Sequence, residues 1–242
     1  MTLEILSEKI PCLVEKNRSR NISIQFAGPD PKLIIRTPGG VLTDDARAFI
    51  EKKKTWILRN YINMKALQEN RAEFYKEIAD SKILYQGQYI PFVMTTAAKR
   101  SVKMTADGQI HISLPLKDQK TPLHLILFAA LKALAKKYLI QRTQHLAQMT
   151  GSSVNVISVK NVKSKWGSCS GKKNINLNWY LIFLPIPLID YVIIHELMHL
   201  REMNHSQNFW NWVNKFYPGY KAADAKIKNM SWVIGILDAP GK

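Results

Sequence analysis

At 242 residues, with 46% hydrophobic and 22% charged side chains, the chain is long enough to bury a substantial core and is not disordered in composition. Its two cysteines, Cys12 and Cys169, are too few and too far apart for a disulfide framework. The net charge of +17 suggests an anionic partner, nucleic acid or a ribonucleoprotein, against the alternative of a solvated surface that aids solubility; with no helix-turn-helix or zinc-finger signature, such binding is expected to be nonspecific.

Residues Met1 to Pro11 include Glu4, Glu8 and Lys9 where a cleavable signal would need an apolar run, so a cytoplasmic location is expected. From Asn21 to Arg36, alternation of Ile22, Ile24 and Phe26, then Leu33 and Ile35, predicts a hairpin turning through Gly28-Pro29-Asp30-Pro31. Thr43, followed by Asp44 and Asp45, predicts a helix start, and the apolar spacing carries that helix to about Met64. A second β-region is expected near Ile83 with a turn at Gln86-Gly87-Gln88, and a hairpin over Lys99–Thr105 and Gln109–Leu114 turning at Asp107-Gly108. These strands read as a small antiparallel sheet.

Ser113 to Thr121 is the best boundary, giving a β-rich region with one helix over residues 1–115 and a second region over residues 116–242. Thr121-Pro122 predicts a helix start with a capping hydroxyl, and Gly151 a stop near Met149. Short strands follow at Val154–Val159, Lys165–Cys169 and Lys173–Asn178. No internal repeat is apparent. The most apolar stretch, Trp179 to Ile194, contains Pro185, Pro187 and Asp190 and fails as a membrane span. It reads as strand, turn and buried helix.

That helix, expected over about Leu188–Met203, carries the chemistry. In His195-Glu196-Leu197-Met198-His199 the two histidines lie one turn apart on one face, close enough to grip one metal ion. Glu196 leaves the helix beside the first ligand, where its carboxylate can serve as a general base without joining the metal. After a turn through Arg201–Asn204, His205 is the natural third ligand. Three neutral imidazoles leave one tetrahedral position of Zn²⁺ open, as in a catalytic site, and binding is expected to weaken below about pH 6. Satisfied core histidines are the competing explanation. Beyond His205, Phe209, Trp210, Val213 and Phe216 fall at helical spacing and would dock the ligand-bearing segment.

The run KWGSCS at Lys165–Ser170, then INLNWYL, DYVIIHELMHL and NHSQNFW, resembles the YgjP-like zinc metallopeptidases, relatives of SprT-type proteases. The resemblance implies a zincin-like core with His195, His199 and His205 as ligands and Glu196 as base. It also makes Trp166, Gly167, Ser168 and Cys169 candidates for a strand that lines a substrate cleft, against a core-packing role for Trp166 and a simple packing role for Cys169. The ligand spacing also matches metzincins, but Glu202 stands where they carry glycine. Tyr217, Tyr220 and Lys221 are candidates for stabilising an oxyanion, against a packing role.

The expectation is therefore an α+β fold: a zincin-like core preceded by an antiparallel β-rich region, binding one Zn²⁺ and hydrolysing peptide or protein substrates. The alternative is a nonenzymatic, basic nucleic-acid-binding protein with a structural zinc site.

Overall fold

The computed structural model describes residues 2–5, 7–27, 31–234 and 236. It is a mixed α+β fold that divides into two compact units, Met1–Glu73 and Phe74–Lys242. The first contains β1 (Thr2–Ile5), β2 (Glu8–Lys16), β3 (Ser23–Ala27), β4 (Lys32–Thr37) and most of helix α1 (Asp44–Ala79). Alternation buries Ile10 and Cys12 on β2 and Leu33 and Ile35 on β4, and Ile50, Ile57 and Tyr61 of α1 complete this core. Thr43 caps α1 as expected, its hydroxyl accepting from the Ala46 amide at 3.2 Å. The helix continues well past Met64 because Lys65–Ala79 contains neither glycine nor proline. The expected turn at Gly28-Pro29-Asp30 lies outside the described residues.

The sheets are not purely antiparallel. The first has the order β1-β2-β4-β3, with β3 antiparallel to β4 but β2 parallel to it. The fourth strand inserts between the second and third, so it runs with the second. A second sheet, formed by β5 (Lys82–Tyr85), β6 (Gln88–Thr96), β7 (Ser101–Met104) and β8 (Ile110–Leu114), repeats this plan as β5-β6-β8-β7.

The repetition extends to the register. Thr2 pairs with Pro11 and Ile5 with Glu8, as Lys82 pairs with Pro91 and Tyr85 with Gln88. Cys12–Lys16 run beside Leu33–Thr37, as Phe92–Thr96 run beside Ile110–Leu114. The amide of Asn17 then donates to the Thr37 carbonyl, and that of Ala97 to the Leu114 carbonyl. Each sheet is followed by a long helix. The chain thus holds two ββββα modules, which the sequence reading missed because few positions coincide, among them Ile10 with Ile90, Pro11 with Pro91, Ser23 with Ser101, Ile35 with Ile112 and Pro38 with Pro115.

The second unit adds α2 (Leu123–Thr150), β9 (Val156–Lys160), β10 (Gly167–Cys169), β11 (Asn174–Asn178), α3 (Ile186–Met198), α4 (Gln207–Phe216) and α5 (Tyr220–Asn229). Strands β5 to β8 belong to this unit. At the start of α2, Pro122 takes the N-cap position with no side-chain bond, so the Thr121 hydroxyl does not cap. Gly151 ends the helix in the left-handed region at φ 63°, as its position suggested. A 3-10 turn, Trp179–Phe183, is wholly buried and leads into α3.

The β5–β6 turn and α2 hold α3 and the 3-10 turn that precedes it. The β5–β6 turn donates from the amides of Gln86 and Gly87 to the carbonyls of Ile182 and Phe183 at 2.6 and 3.1 Å. Gly87, at φ 84°, lies where an added Cβ would stand 2.7 Å from Pro185 Cγ, so only glycine fits. Arg142 of α2 donates twice to the Asp190 carboxylate of α3, at 2.7 and 2.6 Å. Replacing Arg142 with Ala is expected to cost about 1–3 kcal/mol of stability, since it strands a half-buried carboxylate; denaturant unfolding measures it, and an unchanged midpoint would assign the pair no structural role. Among the described residues no helix is long and apolar enough to cross a membrane.

Candidate metal centre

Helix α3 is apolar on nearly every face, with Ile189, Ile193, Leu197 and Met198 fully buried. It ends at Met198, earlier than expected, with His199 as its C-cap in right-handed helical conformation. His195 and His199 therefore remain one turn apart, their ring centroids 5.0 Å from each other. The chain then tightens, the amides of Arg201 and Glu202 both donating to the Met198 carbonyl at 3.0 Å. Glu202 is not in the left-handed region, so nothing here calls for the glycine of the metzincin pattern.

Arg201 secures this turn. Its guanidinium donates to the Thr150 carbonyl at the end of α2 at 2.6 Å and lies 4.3 Å from the Trp212 ring centroid. Ser206 then caps α4, its hydroxyl accepting from the Phe209 amide. The buried Phe209 stacks on His199, with centroids 4.4 Å apart, and Trp210 stacks on His205 at 5.6 Å. In this way α4 delivers His205 to the helix.

The three imidazoles converge. One ring nitrogen from each of His195, His199 and His205 lies within 4.8 Å of the others, and no fourth side chain joins the group among the described residues. The Nε2 atoms of His195 and His205 are 3.1 Å apart. Tetrahedral zinc with bonds of about 2.0–2.1 Å needs its nitrogens about 3.3 Å apart, so the donor set fits. His199 points Nδ1 at the Glu202 carbonyl at 3.0 Å, which leaves Nε2 for a metal.

Burial sets the charges here. It holds the His195 imidazole down to about 4, with the charges of His199 and His205 pushing the same way and Asp224 pushing back. His199 is lowered by burial too, against its bond to the Glu202 carbonyl. Glu196 is only 6% exposed, and burial raises its carboxyl to about 7, against the charge of Lys165. Two neutral imidazole donors and an acid poised near neutrality suit a metal site with a general base.

The same shifts give a test. In the metal-free protein Glu196 weakens the fold as pH rises from its ordinary 4.5 towards about 7, because the unfolded chain loses that proton first. His195 opposes it, adding stability as pH rises from about 4 towards 6.5. Metal-free Glu196→Gln should therefore be more stable than metal-free wild type at about pH 8, by on the order of 2–3 kcal/mol. The gap should close towards acid. Denaturant titrations at both pH values measure it, and a less stable variant at alkaline pH would contradict burial of the carboxylate.

Strand β10 runs past Glu196. An added Cβ at Gly167 would stand 2.7 Å from both Cγ and Oε1 of Glu196, so this glycine makes room for the carboxyl group. Ser168 and Cys169 follow, half-buried, on the edge strand of the sheet β10-β11-β9. Burial and the nearby negative charge of Glu196 raise the Cys169 thiol, and its sulfur is not in the histidine group. Trp166 packs against the main core. Tyr217 donates to the Pro187 carbonyl at 2.9 Å, and Tyr220 stacks on Trp210 at 5.0 Å, one ring behind His205. Lys221 is exposed.

Sequence reasoning passed over Asn178. It is 1% exposed; its side chain donates to the carbonyls of Val162 and Lys165 at 2.6 and 2.9 Å and accepts from the Tyr180 amide, while its own amide donates to the Trp166 carbonyl. It therefore shapes the loop before β10. The signal was a lone amide between Leu177 and Trp179, which a core admits only with partners.

Residues 20–230 match the family described as YgjP-like, metallopeptidase domain. The chain belongs to this family. No curated protein matches it. Among solved structures, the YgjP-like chain is similar to the metallopeptidase zymogen abylysin of Pyrococcus abyssi, at 26% identity over 38% of this chain and 93% of that one, with a TM-score of 0.35. It is also similar to the metallopeptidase zymogen jannalysin of Methanocaldococcus jannaschii, at 25% identity over 40% and 97%, with a TM-score of 0.34.

Proposed function

We propose that this YgjP-like chain is a zinc-dependent peptidase with a zincin-like core, in which His195, His199 and His205 hold one Zn²⁺ through Nε2. Zinc, when bound, supplies a Lewis acid that polarises the scissile carbonyl and acidifies water. Glu196 accepts the proton of the attacking water and returns it to the leaving amine. Burial supports this role, because a carboxyl group near neutrality can hold and release a proton at working pH.

The observation that carries this reading is the convergence of three imidazole nitrogens with no fourth protein donor among the described residues, next to a buried glutamate. A closed structural site has four protein ligands, so the group favours catalysis over the nonenzymatic alternative. An extended peptide would lie along the outer edge of β10, beside Glu196, and bond to its backbone.

Gly167→Ala tests the fit between strand and base. The new methyl group must push the carboxyl group aside, so kcat/KM on an unfolded protein substrate should fall by about 10²-fold with zinc content unchanged. Wild-type kinetics in this variant would separate β10 from the reaction.

A further inference from the structure

No aspartate or glutamate occurs between Asp118 and Asp190, although this stretch contains α2, all three strands of the β10-β11-β9 sheet and many lysines. Of the net +17, only +4 lies in residues 1–73. The excess belongs to the unit that carries the histidine group.

Four of these cations bracket β10. Lys163 and Lys165 lie just before it, Lys172 and Lys173 in the turn just after it, and all four are exposed. None is in an ion pair among the described residues. The strand itself is short, Gly167–Cys169, or about 10 Å, so both pairs act within about one Debye length of anything laid along it.

The turn adds a second observation. Lys173 adopts φ 60°, in the region that favours glycine, whereas Gly171 of the same turn is not at positive φ. A lysine thus occupies the strained position, with a glycine two residues away where none is needed.

We propose that the cleft selects acidic polypeptide segments, with carboxylates on both sides of the scissile bond met by Lys163 and Lys165 at one end of β10 and by Lys172 and Lys173 at the other. This rests on the peptidase reading for the bond that is cut, but not for the binding. Nucleic acid fits less well: single strands bind on aromatic stacking platforms, and no exposed large aromatic residue lies between Asp118 and Asp190.

Binding to the full-length, zinc-loaded Glu196→Gln protein separates the two readings. Two labelled, unstructured peptides are compared by fluorescence anisotropy, one with glutamates at alternate positions and one with glutamines there. The glutamate peptide should bind about tenfold more tightly at low salt and lose that advantage at high salt. Replacing Lys163, Lys165, Lys172 and Lys173 with Gln should remove the preference, and Arg at all four positions should restore it. Equal affinity for the two peptides overturns the proposal, as does an undiminished preference in the glutamine variant. A single-stranded oligonucleotide that binds more tightly than the glutamate peptide, through the same lysines, would also overturn it in favour of nucleic acid. Acidic selectivity in a wild-type protein that cleaves neither peptide would overturn the peptidase reading and leave the binding surface standing.

Discussion

Glu196→Gln should reduce peptide hydrolysis by at least about 10²- to 10⁴-fold while zinc content stays at that of wild type. Glutamine keeps the size of the side chain, so the gap beside Gly167 is still filled and β10 need not move. It cannot accept a proton from attacking water. Turnover of an unfolded protein substrate, measured beside metal analysis of the same sample, tests both halves. Equal cleavage by wild type and variant would assign the proteolysis to another base or to a contaminant. A loss of turnover, together with the stability gain expected of the same substitution in the metal-free protein, would show a group kept in the core for its chemistry at a cost to the fold.

His199→Ala and His205→Ala should lose metal and activity together. Each removes one of the three converging nitrogens, and none of the described side chains stands by to replace it. The ligand assignment fails if either variant keeps wild-type zinc in competition with a chelator. Acid should act through the same nitrogens. The imidazole reference value of about 6.5 alone places zinc loss below about pH 6, but burial holds His195 down to about 4 and lowers His199 as well. His195 therefore resists protonation at pH 6, and burial makes His199 harder to protonate than a free imidazole. Zinc should be retained there and lost on further acidification, which a pH series of metal retention would show.

Much of the candidate site was legible because its signals are local. The histidine spacing places two rings on one helical face whatever surrounds the helix, and the Gly87, Gly108 and Gly151 turns follow from backbone sterics at single residues. The hairpin strands β3–β4, β5–β6 and β7–β8 were marked by alternation and turn residues in the same way. Two helix ends were misjudged. The first helix was stopped about four turns short because its later residues lose apolar periodicity without losing helix propensity, and α3 was run too far because His199 begins a tight turn with no breaker residue.

What the sequence determined by itself was the chemistry: which side chains could bind a metal, which could move a proton, and that the helix bearing them is buried. What only the tertiary structure decided was their use. The parallel pairing of β2 with β4 and of β6 with β8 joins strands that are not neighbours along the chain, so no local pattern announces it. The role of Gly167 is likewise nonlocal. Its lack of a side chain matters because Glu196, from another element, fills that space. Asn178 and Arg201 hold the loop before β10 and the turn that delivers His205 through bonds to distant carbonyls, at Val162, Lys165 and Thr150. Backbone acceptors carry no residue identity, so a sequence cannot name such partners until the fold has brought them within reach.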